Sequence, residues 1–542
     1  MSLVRGTLIL AGATLLCRIL GLIYYFPFLW LVGLPGAALY AYAYNPYTLM
    51  LSLSTMGLPL AVSKLVAKYH ALGDYQTPKR LLSSGLILLL LLGLGSCGLL
   101  MSLAPAIAKT FIGGGGETAQ TGNSLEDIIL VIRVVSLALI VVPTMSLIRG
   151  YFQGLQDMLP TAVSQVVEQL VRIGFILISA VLIIQVWHGT RVMAVVFAVA
   201  AAFVGAVGGL LVLAWFWHRH QTMTPSPSSS PPESNALPLQ PLPQIYLELI
   251  RYAVPFVLVS LAIPLYLLID SMTINATLRA NGLSLAEAEN IFSVINQTTH
   301  KIIMIPVSLA TAMGLTLIPT ITRLFTAKET AQLQHTVNHT LQLLLFLTLP
   351  AVTALTLLAQ PIYGVLYALQ DWPLGSYYLL RYAPTALLFA FFTATAAILQ
   401  GINQQKMAVL GLGLGLILKG LLNVPLLQFW GGEGAIWATN VGYLMAVLFN
   451  LRIIQAHAAL STRQLFAGCR QIVGLAAIMG LVVGGLQYGL FAPRLAGWSY
   501  AGLTLVLAFS LALGAVIYLG LALSTGVFGR VLGTRFRANR RR

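Results

Sequence analysis

Apolar runs of about 20 residues, the length that crosses a bilayer as a helix, recur along the whole of this 542-residue chain and are separated by short polar stretches. The pattern predicts fourteen transmembrane helices, at 7–33, 37–62, 81–106, 126–148, 160–186, 191–217, 246–270, 293–322, 337–368, 379–402, 406–429, 434–454, 468–490 and 499–523. Runs of this length also exclude a membrane barrel, whose strands alternate over about 10 residues. Spans eight and nine carry Pro306, Pro319, Pro350 and Pro361, which predict kinks or tilt.

Composition agrees with the pattern. Apolar residues make up 58% of the chain and charged residues 8%, and the mean hydropathy is +0.88, so a soluble, disordered or coiled-coil protein is excluded. The formal charge of +16 does not indicate nucleic acid, because its distribution follows the positive-inside rule. With the N-terminus inside, the cytoplasmic segments hold twenty Lys and Arg, six of them in the tail from Arg530 to Arg542. The outer loops hold only Lys109, Arg191, Arg279 and Arg494. Both termini are therefore expected in the cytoplasm. The first run continues past Arg18 without a small-residue cleavage site, so no cleavable signal peptide is expected. Cys17, Cys97 and Cys469 show no redox or metal spacing, and neither do the eight histidines.

The chain reads as a duplication. A Pro- and Ser-rich stretch at 218–245 is expected to be a cytoplasmic linker between an N-lobe, 1–217, and a C-lobe, 246–456. Segment 457–529 then adds spans thirteen and fourteen, and 530–542 is a basic cytoplasmic tail. Arg5 pairs with Arg251 at an offset of 246, Gly57 with Gly314 at 257, and Gln153-Gly154-Leu155-Gln156 with Gln400-Gly401-Ile402-Asn403 at 247. The last offset also pairs Arg172 with Lys419. Each copy has six spans, an even number. The copies therefore insert in the same sense and are related by an axis along the membrane normal.

Ionisable residues inside the spans carry the candidate chemistry. A charge at bilayer depth costs about 2.5–3.5 kcal/mol on insertion scales, and normally faces a cavity or a partner. Arg18, Arg172, Lys301 and Lys419 are deep, Arg133 lies seven residues into span four, and the deep acids are Glu168 and Asp270. Thr161, Gln165, Glu168, Gln169 and Arg172 form one helical stripe in span five. Glu168 and Arg172 are one turn apart, within reach of a pair. Leaving Arg133 aside, the deep cations exceed the acids by two, which predicts an anionic substrate group such as a diphosphate. Arg18, Arg172, Lys301, Lys419, Arg133 and Gln165 are the candidate binding residues. Glu168 and Asp270 are candidates for coupling to an ion. No metal site and no bound cofactor are expected. Coupling to Na+, H+ or the membrane potential stays open. The glycine run 113–116 lacks the Lys-Ser or Lys-Thr of a phosphate loop, and no sizeable extramembrane segment bears the acids an enzyme would need.

The stretch RGTLILAGATLLCRILGLIYYFPFLWLVG, with STMGLPLAVSKLVA and RGYFQGLQDMLPTAVSQVVEQLVRI, resembles the polysaccharide-transport branch of the MOP flippase superfamily. Within it the SpoVB/YtgP group is nearest, with the MurJ lipid II flippases behind it. The resemblance covers most of 1–455. It implies a monomeric flippase of the bacterial cytoplasmic membrane that exports a polyprenyl-diphosphate-linked glycan by alternating access through a central cationic cavity, with lipid II or another surface oligosaccharide precursor as substrate. It implies that Arg18 matches a cavity arginine and that the last two helices form a groove for the lipid tail. MurJ-type members carry a further arginine where this chain has Tyr24, and basic residues in span two where it has LMLSLSTMGL. The competing readings are a cation-coupled MATE-type exporter, a 14-span major-facilitator carrier and a noncatalytic scaffold for envelope synthesis.

Overall fold

The computed structural model describes residues 3–55, 58–71, 74, 76–112, 122–223, 241–367, 372–458, 462–491 and 499–532. The glycine run, Gly57, most of the linker and most of the basic tail lie outside the described residues. The described residues are helical throughout, with no strand.

The helices are α1 (Leu3–Ile23), α2 (Tyr25–Thr55), α3 (Leu58–Ala71), α4 (Gln76–Ile112), α5 (Leu125–Ser136), α6 (Ala138–Gly154), α7 (Leu159–Val181), α8 (Arg191–Met223), α9 (Leu242–Ser260), α10 (Ala262–Ala280) and α11 (Leu285–Ser293). They continue as α12 (His300–Thr326), α13 (Thr330–Leu357), α14 (Ala359–Leu366), α15 (Trp372–Tyr382), α16 (Thr385–Gly401), α17 (Gln405–Trp430), α18 (Gly432–Ala458), α19 (Thr462–Leu486), α20 (Tyr500–Ser524) and α21 (Val527–Leu532). Among the described residues ten are long and apolar enough to cross a membrane, or eleven when the bent pair α15 and α16 is taken as one span. The expected spans at 7–33, 246–270 and 293–322 run through broken helices.

Several of the breaks have a local cause. Gly33 has φ 68° and ψ −177°, open only to glycine, and ends the first expected span inside α2. Pro35 follows in the first turn after the break, where its missing N–H costs nothing. The second expected span therefore begins at 34, and α3 follows from Leu58. Span seven breaks at Leu261, and Pro264 lies in the first turn of α10. Span nine breaks at Leu358, three residues before Pro361, whereas Pro350 is carried inside α13. Span ten begins earlier than expected, at Trp372, and bends by 43° at Ala383-Pro384. Span four is interrupted at Leu137, and its start is fixed by a capping box between Ser124 and Asp127.

The chain divides into two compact units, Met1–Asn290 and Ile291–Arg542. In the first, α9 packs on α3, and α10 packs on α2 and α4. This explains why these two helices, which follow the linker, belong to the unit that precedes it. Val62, Leu65, Tyr69, Leu147, Tyr151 and Ile245 form one of its cores. In the second, α17 pairs with α18, α12 with α16, and α13 with α19. Lipid tails are as apolar as leucine, so helices in a bilayer associate through close packing rather than apolar burial. Large apolar side chains are accordingly left outward on α4, α17 and α20, where Leu91, Leu421 and Leu505 are 61%, 68% and 71% exposed.

The two copies share their helix ends. Gly154 packs on Val66 and on the Ser63 carbonyl, and Gly401 on Ile321 and the Ile318 carbonyl. The register between α3 and the end of α12 is thus 255 residues, rather than the 257 expected from the glycines. The Asp74 N–H donates to the Tyr69 carbonyl (2.9 Å) and the Glu329 N–H to the Leu324 carbonyl (3.0 Å), at that same offset. The Asp157 N–H donates to Phe152 O and the Gln404 N–H to Leu399 O, at the expected offset of 247. All four are the six-to-one bond of a Schellman cap.

Candidate functional site

In the first unit the polar stripe of α7 faces α1. The Thr14 hydroxyl donates to Gln165 Oε1 at 3.3 Å, and a Cβ on Gly21 would lie 3.1 Å from Gln169 Nε2. Arg18 falls between Thr14 and Gly21 on that stripe of α1 and is exposed. The structure thus brings Arg18, Gln165 and Gln169 to one seam.

Behind the seam α8 comes close because its residues are small. A Cβ on Gly205 would meet the Glu168 carbonyl and Arg172 Cβ, each at 2.9 Å. Glu168 pairs with Arg149 of α6 (2.9 Å), not with Arg172. The Arg149 Nε also donates to the Ser164 hydroxyl at 2.9 Å. Arg149 follows an apolar run and reads as a loop residue in the sequence. Folding returns it to α7, where it neutralises the candidate coupling acid.

Arg172 turns instead to an aromatic wall. Its guanidinium lies 5.8 Å from the centroid of the Tyr44 ring, within range of a cation–π attraction of about 0.5–2 kcal/mol. Tyr44 stacks on Tyr40 at 4.7 Å, and the Tyr40 and Tyr24 hydroxyls are 3.3 Å apart. Tyr24, the departure from the family arginine, is thus buried in a hydroxyl pair. Tyr40, Tyr44 and Tyr47 recur at i, i+4 and i+7, the one sequence signal that could have revealed this wall.

Two predicted residues of this unit lie elsewhere. Arg133 is exposed on α5 and shares its face with Leu130 and Leu137, 43% and 37% exposed, the setting of a side chain that snorkels along apolar surface. Asp270 is buried on α10, one turn beyond the buried Tyr266. A polar knot at the expected outer end was not legible in the sequence. Glu289, fully buried, accepts from the backbone N–H and side-chain amide of Asn123, both at 3.0 Å, and from the Tyr42 hydroxyl at 3.3 Å.

In the second unit Lys419 is fully buried, and its ammonium donates to the Thr439 hydroxyl of α18 at 2.6 Å. Tyr443, one turn past Thr439, packs edge-on to Phe389 at 4.4 Å. Phe389 faces His300, whose Nδ1 is 3.1 Å from the Tyr382 hydroxyl. Lys301 is the next residue of α12 and is half-buried. An apolar groove of about 290 Å³ runs between α13, α19 and α20, lined by Phe346, Pro350, Met479, Val483, Gly514 and Tyr518. Among the described residues no group of three His, Cys, Asp or Glu side chains could hold a metal ion.

Residues 3–325 match the family described as polysaccharide biosynthesis protein, and 255–425 match the MatE family. The lipid II flippase MurJ of Bacillus subtilis (strain 168) is 42% identical over 540 residues, 98% of this chain and 97% of that protein. Stage V sporulation protein B of the same organism is 25% identical over 83% of each chain. A solved structure of a lipid II flippase MurJ in an inward closed conformation superposes with a TM-score of 0.67 over 97% of this chain and 100% of its own, at 14% identity.

Proposed function

Because this multi-pass membrane protein belongs to the polysaccharide biosynthesis protein family, we propose that it is a flippase for a polyprenyl-diphosphate-linked glycan, with lipid II the first candidate. The observation that carries the reading is the near full-length likeness to a lipid II flippase, at an identity where fold and substrate class commonly travel together. Fourteen spans follow when the three broken segments are counted, and both termini then lie in the cytoplasm.

The chemistry of the site supports the reading. A diphosphate needs cations that are held in place but not neutralised. In the first unit Glu168 is paired with Arg149, and Arg18 and Arg172 are the cations proposed to meet the ligand. Gln165 and Gln169 offer amide donors on the same seam. Lys301 is the corresponding candidate in the second unit, whereas Lys419, enclosed between α17 and α18, acts first on those helices. The groove between α13, α19 and α20 has the apolar lining that a polyprenyl chain requires. The head group crosses by alternating access of the two lobes, and no chemical bond is made or broken. The protein acts as a monomeric transporter rather than an enzyme. Coupling to the membrane potential suits mobile cations, each worth about 2.3 kcal/mol per 100 mV. Asp270 is the remaining acid for coupling to Na+ or H+.

The test is cellular. The chain is expressed while a host's own lipid II flippase is depleted, and lipid II on the outer leaflet is assayed with an externally added cleaving enzyme. Restored exposure that is lost in Arg18→Ala supports the reading. No restoration despite good membrane expression rejects lipid II and directs the assay to other polyprenyl-linked glycans. Export of cationic drugs instead would favour the MATE-type reading.

A further inference from the structure

A second polar pocket lies at the expected cytoplasmic end of the second unit, where α12, α13, α16 and α18 terminate or begin. Its volume is about 650 Å³. Lys328 and His457 line it, together with Gln400, Asn403, Thr322 and Thr326. No acidic side chain lines it; Glu329, the neighbouring acid in sequence, is outside the lining.

The backbone at two of these residues is unusual. Lys328 has φ 57° and Asn403 φ 61°, the left-handed region that glycine fills without strain and asparagine tolerates. Both are the left-handed residue of a Schellman cap. At the offset of 255 set by the packing and cap bonds above, Lys328 corresponds to Gly73 in the first copy. The sequence of the first copy has glycine at the corresponding position, and the second carries a lysine in a conformation lysine rarely adopts. Strain of this kind is retained where the side chain has work to do. His457 points the same way. Its Nδ1 donates to the Ile453 carbonyl at 3.0 Å, which anchors the ring, and Nε2 donates to an oxyanion in the doubly protonated imidazolium.

We infer that this pocket binds a phosphate oxyanion, borne by an anionic lipid of the cytoplasmic leaflet or free in the cytosol. A cation and the side chains of Gln400, Asn403 and Thr326, with no carboxylate among the described lining residues, match the acceptor oxygens of a phosphate; the Thr322 hydroxyl is engaged by the Ile318 carbonyl at 2.8 Å. Phe325 and Leu333 complete the lining with apolar surface, which suits the glycerol end of a lipid. Basic pockets between helices on this side of a membrane are where lipid head groups bind. The site is distinct from the seam of the first unit and from the apolar groove, and it does not depend on the identity of the transported glycan.

The test uses the purified full chain and two probes, phosphatidylglycerol scored by native mass spectrometry against phosphatidylcholine, and radiolabelled inorganic phosphate. Lys328→Asn removes the charge and suits the left-handed backbone, so it should melt no lower than the wild type. His457→Gln is the second variant. The expected result is a preference for phosphatidylglycerol that falls at least fivefold in Lys328→Asn and severalfold in His457→Gln, with Lys109→Gln at the opposite membrane face unchanged. Phosphate binding that is lost in Lys328→Asn, without a lipid preference, assigns the free anion. If neither probe binds, or if binding is indifferent to Lys328→Asn in a protein that melts normally, the inference is overturned.

Discussion

Arg172 and Lys419 occupy corresponding positions of the two copies, yet the two units hold them differently. Arg172 is half-buried and stacked near Tyr44, with its neighbouring acid already taken by Arg149. Lys419 is fully buried and donates to the Thr439 hydroxyl of the next helix. A planar guanidinium can rest on a ring and still present a fork of N–H groups to a ligand. An ammonium enclosed between two helices acts first on those helices. At the sequence offset of 247, one unit presents its charge and the other uses its charge to pair helices.

The largest expected effect tests that division at Lys419. Lys419→Ala should destabilise by about 2–4 kcal/mol, since it leaves a cavity and removes the charged hydrogen bond to Thr439, and transport should fall only as far as folded protein does. A normal melting temperature with lost transport would make Lys419 a ligand-binding residue and erase the contrast. Next is Arg172→Ala. A charged hydrogen bond is worth about 1.5–3 kcal/mol, so transport should fall about 10- to 100-fold at near-normal thermal stability.

Glu168→Gln sharpens the comparison from the other side. The Arg149 pair is mostly buried, with side chains 12% and 17% exposed, so its loss should cost about 1–2 kcal/mol, between a surface and a buried pair. The dependence of transport on Na+ and pH should be unchanged. If that dependence disappears, Glu168 is the coupling acid. The smallest effect is expected for Tyr44→Leu, about 0.5–1 kcal/mol, read as a fewfold weaker apparent affinity for substrate. Tyr44→Phe, which keeps the ring face, should retain most of it.

Some of the site was visible in the chain as written. The stripe Thr161, Gln165, Glu168, Gln169 and Arg172 is a helical period, and the seam with Thr14 and Gly21 lies along it. The partner of Glu168 was not visible. Arg172 is one turn away in sequence, whereas Arg149 lies on the preceding helix, and only packing returns it. The tyrosine wall and the Glu289 knot were missed for a similar reason, because buried hydroxyls and carboxylates are assigned by partners distant in sequence.

The apolar period by itself determined that this protein is helical and multi-pass, because a bilayer admits only segments that satisfy their own backbone hydrogen bonds. Residue matches at offsets of 246 to 257, not the apolar period, point to a duplication. Tertiary structure decided where spans break, which charges are paired, and which copy's cation is enclosed. Those outcomes depend on glycine-permitted close approaches such as Gly205 on α7 and on contacts far apart in the chain. A local sequence pattern sets what each helix can offer, but only its packing sets which offer is taken up.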